Sequence, residues 1–210
     1  MNRACWSLSF LVLFLTLSLF ATALAATITV SPGGPLTIQE AIDQAEDGDV
    51  VELLDGIYCG DGNRDLEFLG KAITVCSQNG DPLACVIDVE GSDGDLHRAF
   101  HIRSAEGSDT VVDGLTLRNG YHSWSGGILS ETYCTPTIRN CRFIANQGTE
   151  GGGLCAKDAA IIENCWFEDN YSTSHGGGAS AAGNLGYAST FTGCTFVNNT
   201  AGTYGGGFRC

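Results

Sequence analysis

A short motif recurs through the second half of the chain, and its period restricts the fold more than any other feature of the sequence. Three copies align directly: Asn140-Cys141-Arg142-Phe143-Ile144-Ala145-Asn146, Asn164-Cys165-Trp166-Phe167-Glu168-Asp169-Asn170 and Gly193-Cys194-Thr195-Phe196-Val197-Asn198-Asn199. Each is followed by a glycine cluster and then an apolar or small residue, at Gly151 to Leu154, Gly176 to Ala179 and Gly205 to Phe208. A weaker copy, Gly114 to Gly120, comes earlier, with Gly126-Gly127-Ile128 behind it. From Leu115 through Cys141 and Cys165 to Cys194, the steps are 26, 24 and 29 residues.

Within each copy the apolar pattern alternates. Cys141 and Phe143 flank Arg142, as Leu115 and Leu117 flank Thr116, which is the signature of a strand with one buried face. The residue before each pair is Gly114, Asn140, Asn164 or Gly193. These types tolerate a left-handed backbone, so a bend is expected there in every copy. Short strands between fixed bends, once per repeat, describe one coil of a parallel solenoid. The L-x-x-L-x-L spacing of leucine-rich repeats and the Trp-Asp signature of propeller blades are both absent. The expected fold is therefore all-β: a right-handed parallel β-helix. Coils stacked about 4.8 Å apart would place like residues in columns. Leu115, Cys141, Cys165 and Cys194 form one, and Leu117, Phe143, Phe167 and Phe196 another. Asn146, Asn170 and Asn199 stack at a turn.

The N-terminal half fits the same plan. Residues 1–25 read as a signal peptide: Arg3, an apolar run from Leu8 to Phe20, then Ala23-Leu24-Ala25 as a cleavage site. Residues 26–49 hold a strand, Thr27 to Val30, and a helix. That helix starts at a capping box, Thr37 with Glu40, buries Ile38, Ala41, Ile42 and Ala45, and ends at Gly48. It is the expected N-terminal cap of the solenoid. Coils then occupy residues 50–210, through Val50 to Leu53, Ala72 to Val75, Phe100 to Ile102 and the four repeats. The chain stops in mid-coil at Cys210, and the expectation is a fragment.

Charge limits the partners. Ten Lys and Arg against 24 Asp and Glu give a net charge of −14, more negative still once Arg3 is removed. Such a surface repels nucleic acid and anionic lipid. No second apolar stretch is long enough to span a bilayer. Nine cysteines follow Cys5, and an exported chain with that many usually carries disulfides. Cys76 and Cys85, flanking the turn Asn79 to Pro82, are the expected local bridge. Cys141, Cys165 and Cys194 read instead as small buried ladder residues.

The segments Phe143 to Asn146, Phe167 to Asn170 and Phe196 to Asn199, with their glycine clusters, resemble the F-x-x-N and G-G-[AILV] repeats of polymorphic membrane proteins. The opening, from Ile28 through Gly48-Asp49-Val50 to Gly70-Lys71-Ala72-Ile73-Thr74-Val75, resembles that of secreted bacterial β-helices of the pectin-lyase type. The two resemblances cover nearly the whole chain after the leader. They imply secretion or cell-surface display and adhesion to a polysaccharide or surface protein, while the fold itself hosts many activities.

Two functions stay open at this point: a noncatalytic extracellular scaffold, or part of a calcium-dependent pectate-type lyase. A lyase needs clustered carboxylates for calcium and an arginine or lysine to abstract a proton. The W-x-D-H and R-x-P-x-x-R lyase motifs and the N-T-D, D-D and R-I-K hydrolase motifs are absent. Asp61, Asn63 and Asp65 place oxygens at alternate positions, as calcium loops do, but Leu66 and Ala72 stand where an EF-hand needs glycine and glutamate. A solvated loop is the other reading. Asp93-Gly94-Asp95 reads as a turn. For glycan binding the candidates are His101 and Arg103 on an outward strip, with Arg118 one coil along and Asp109 or Asp113 near. His97, Arg98 and His122 lie nearby, and Tyr121, Trp124, Tyr133 and Tyr171 are candidates to stack on sugar rings.

Overall fold

The computed structural model describes residues 24–181 and 188–210, so nearly all of the expected signal peptide lies outside the described residues. Strands progress along one axis in four parallel stacks. The first sheet has seven strands: Thr27–Val30, Val50–Leu53, Thr74–Ser77, Val111–Asp113, Thr137–Arg139, Ile161–Glu163 and Thr190–Thr192. The second has six: Gly56–Tyr58, Cys85–Asp88, Thr116–Arg118, Arg142–Ile144, Trp166–Glu168 and Thr195–Val197. A third, of five, runs Phe100–Ile102, Ile128–Ser130, Leu154–Ala156, Ala179–Ala181 and Phe208–Arg209. A short fourth contains Gln147–Glu150, Tyr171–His175 and Thr200–Ala201. Each of these strands pairs in parallel with the equivalent strand of the next coil.

The expected bends are real. Gly114, Asn140, Asn164 and Gly193 all have φ between 52° and 68° and turn the chain from the first sheet to the second. A further left-handed bend stands at Asn119, Ala145, Asp169 and Asn198, between the second and fourth sheets. Residue type gives no warning at Ala145. The next residue begins a ladder between coils. The amide of Asn146 donates to Leu117 O (2.9 Å) and Asn170 Oδ1 (3.1 Å), while its Oδ1 accepts from Gly120 N (2.9 Å). Asn170 repeats the pattern with Phe143 O and Asn199 Oδ1, both 2.9 Å away. Asn146 and Asn170 are buried, so the ladder satisfies backbone groups that water cannot reach.

The interior is built from the expected columns. Phe143 and Phe167 stack with centroids 4.6 Å apart and planes 5° apart, and Phe196 continues the stack at 4.8 Å. Leu115, Cys141 and Cys165 are buried beside them, each thiol directed at backbone carbonyls such as Arg139 O and Glu163 O. Glycine clusters close the coil where backbones meet. A Cβ on Gly127 would lie 2.0 Å from Gly153 O. In the last coil, Phe191, Phe196 and Phe208 pack on the core but remain partly exposed.

Two expectations need correction. The helix spans Ile38–Gln44 and ends at Ala45, not Gly48; its capping box and buried Ile38, Ala41 and Ile42 are as read. Cys76 and Cys85 are free thiols. Strand alternation turns Cys76 outward from the first sheet, while Cys85 is buried in the second. Phe100–Ile102, read as part of the coils, starts the third sheet.

Candidate functional site

The fourth sheet exposes a groove. Gln147 and Thr149 point out of its first strand while Gly148 points in, and Tyr171 and Thr173 repeat the pattern one coil on, with Ser172 buried between them. Tyr121 pairs with Gln147, and Gln147 with Tyr171. Three consecutive coils therefore place Tyr121, Gln147 and Tyr171 in one outer column. The loop after Tyr121 packs down on this sheet because Gly148 lacks a side chain: a Cβ there would meet Trp124 O at 2.3 Å. Trp124 N donates to Thr149 Oγ1 (3.0 Å) and fixes the loop. The resulting cavity, about 220 Å³, is lined by Tyr121, His122, Ser123, Gln147, Thr149 and Tyr171 among others.

Arg98 backs this groove. Its side chain is almost wholly enclosed, with 4 % exposure. Nη2 donates to His122 Nδ1 and to Ser123 O, and Nη1 has no hydrogen-bond partner among the described residues. Guanidinium groups only donate. Nδ1 of His122 is therefore an acceptor, and the proton sits on Nε2. Burial and then the Arg98 charge hold the His122 imidazole below its usual pKa, which keeps it neutral. It presents a hydrogen-bond donor rather than a free base.

On the neighbouring third sheet a second polar cluster forms. Glu131 accepts from Lys157 Nζ (2.7 Å) and contacts His101 Nε2 (3.3 Å). Lys157 Nζ stands 3.9 Å from the ring centre of Trp124. Beneath them Leu129 and Cys155 are buried although they point outward. Burial pushes the Cys155 thiol up to about 12, and burial followed by Arg98 lowers His101.

The sequence candidates are thus divided. Tyr121, His122 and Tyr171 meet in the groove. His101 and Trp124 belong to the third-sheet cluster, and Arg103 pairs with Glu67 at 2.7 Å. Arg118 does not continue their strip, because Thr116–Arg118 lies in the second sheet, where Arg118 binds Asp88 (2.8 Å). Asp113 is held by Arg139 and Asn140 in the first sheet and the bend after it. Tyr133 is exposed elsewhere.

The calcium candidates are not gathered round one point. Asp61 pairs with Arg64, Asn63 Oδ1 accepts from Ile38 N at the helix start, and Asp65 takes Arg98 N and His97. Among the described residues, no group of three or more His, Cys, Asp or Glu is disposed to hold a metal ion. Asp93 and Gly94 form the expected turn between Ser92 and Asp95. Gln147 and Thr149 were missed as groove residues. Their outward alternation around Gly148 was the available signal.

Comparison with known families gives a match to the right-handed β-helix region over residues 55–208. No match was found among curated proteins.

Proposed function

The chain belongs to the right-handed β-helix family, and from that premise we propose that it is a noncatalytic, secreted or surface-displayed scaffold that binds glycans in the fourth-sheet groove. The observation that carries this reading is the outer column Tyr121, Gln147, Tyr171. Two coil steps separate the tyrosines by about 10 Å, the scale of a pair of linked pyranoses. Phenol rings offer apolar faces to sugar C–H groups, and Gln147, Ser123 and the His122 Nε2–H supply hydrogen bonds between them.

Further support for binding without catalysis comes from His122, whose Nδ1 is occupied by Arg98 and whose protonation is opposed. The strongly negative chain favours uncharged saccharides over uronates. Surface display is supported by the leader and by the F-x-x-N and G-G-[AILV] repeats of polymorphic-membrane-protein type. The test is titration with neutral oligosaccharides (cellohexaose, xylohexaose, maltohexaose) and with hexagalacturonate plus calcium. Saturable binding of a neutral probe is expected, with the fourth-sheet site removed in Tyr171→Ala. Calcium-dependent release of unsaturated uronides would overturn the reading in favour of a lyase.

A further inference from the structure

A second groove lies on the second sheet, around the bend from the first. Its outer column reads Thr116, Arg142, Trp166, Thr195 in successive coils. The loop Asp81-Pro82-Leu83 overhangs the beginning of this column, pinned where Thr116 Oγ1 donates to Pro82 O (2.5 Å) and where Leu83 N donates to Asp81 Oδ1 (2.9 Å). The overhang ends there. Arg142 is left as a floor and Trp166 as the opposite wall of a cavity of about 380 Å³, with Asn140 and Asn164 at its side.

Two large apolar groups are exposed here among the described residues: Leu83 is 65 % exposed and Trp166 36 %. Trp166 is nevertheless fixed. Its Nε1–H donates to Glu168 Oε2 (3.0 Å), the same oxygen that accepts from Arg142 Nη2 (3.0 Å). Arg142 also lies 5.8 Å from the indole centre. An exposed ring held in place by two such contacts loses little freedom when something stacks on it, and pre-ordering of this kind favours binding.

We infer that the Trp166 groove is a second saccharide subsite, which takes a neutral pyranose against the indole, with Leu83 and Pro82 on its other side and Asp81, Asn140 and Asn164 at its hydroxyl rim. Charge selects the ligand class. Arg142 is already paired with Glu168 (3.0 Å), so among the described residues that line the groove no cation is spare for a carboxylate or sulfate, and Asp81 adds a negative group. An apolar face with a polar rim fits a neutral sugar. This inference rests on the reading of the chain as a glycan binder. It adds that one coil carries two subsites, Trp166 and Tyr171, on either side of the bend at Asp169.

Calorimetry of the full chain with the same three neutral hexasaccharides tests it, using Trp166→Ala, Trp166→Phe and Tyr171→Ala, each checked by circular dichroism for an unchanged fold. Two sites per chain are expected for wild type. Tyr171→Ala should leave one site, Trp166→Ala should leave the other, and Trp166→Phe should keep both with weaker affinity at one. A single site that Trp166→Ala leaves untouched and Tyr171→Ala abolishes would overturn the second subsite while sparing the first. A single site lost only in Trp166→Ala would support this inference and overturn the fourth-sheet groove. No binding of any neutral probe overturns both.

Discussion

The guanidinium of Arg98 donates to Nδ1 of His122, so a buried cation sets which nitrogen of a groove-lining imidazole carries its proton. Substitution at His122 should follow from that geometry. His122→Asn keeps an acceptor for Arg98 near the Nδ1 position and should fold normally while weakening glycan binding through loss of the Nε2 donor. His122→Leu leaves Arg98 Nη2 with Ser123 O alone, so one buried guanidinium N–H loses its acceptor, and it should cost about 1–3 kcal/mol of stability. Denaturant unfolding of the two variants separates these outcomes; equal stability would show that the Arg98 contact contributes nothing.

Acid should weaken the fold at this place. His101 and His122 both have their pKa lowered in the folded chain, by burial first and the Arg98 charge second. The unfolded chain therefore binds protons at higher pH than the native one. The stability they confer is complete above the model-peptide value of about 6.5 and is lost as pH falls from there through the folded pKa values. Melting temperatures between pH 7.5 and 5 should decline, and a His101→Gln, His122→Asn double variant should decline less. An identical slope in the double variant refutes the assignment.

The asparagine ladder predicts one of the larger single losses. Asn146→Ala leaves Leu117 O and Gly120 N without their side-chain partners inside the wall, at a cost of about 2–4 kcal/mol. Asn199→Ala, in the more open last coil, should cost less. Thermal unfolding of the pair gives the comparison, and equal losses would argue against a role for burial.

Thiol reactivity distinguishes the free cysteines. Cys59 and Cys210 are exposed and should react with a small disulfide reagent at once. Cys85 and Cys155, both pushed up to about 12 chiefly by burial, should react only on unfolding. Recovery of a Cys76–Cys85 linked peptide from non-reduced digests would contradict the structure.

Much of this architecture was legible because a solenoid repeats its own instructions. Phe143, Phe167 and Phe196 announced a column, and Asn140 and Asn164 announced a left-handed bend, since both signals depend on residue type at a fixed spacing. Ala145 did not, because alanine has no preference for the left-handed region in which its φ of 53° lies. The disulfide expectation at Cys76 and Cys85 used sequence distance, whereas strand parity decides on which side of the wall each thiol lies. The candidate site was half visible for a similar reason. Tyr121, His122 and Tyr171 stood out as aromatic or titratable residues, but Gln147 and Thr149 acquire meaning only from the coil above and below. Trp166 went unnoticed between Cys165 and Phe167, although alternation had already turned it outward.

Tyr121 and Tyr171 share a column with one coil between them, so their separation is counted in coils and is independent of the loop lengths that produce them. Surfaces of this kind behave as rulers. Duplicating or deleting a whole coil would change the distance between two stacking rings by one fixed increment while leaving each ring in its own surroundings. The wall thus offers evolution, or a designer, a way to retune the ring spacing, and with it the length of saccharide that the proposed groove would take, without redesigning any single contact.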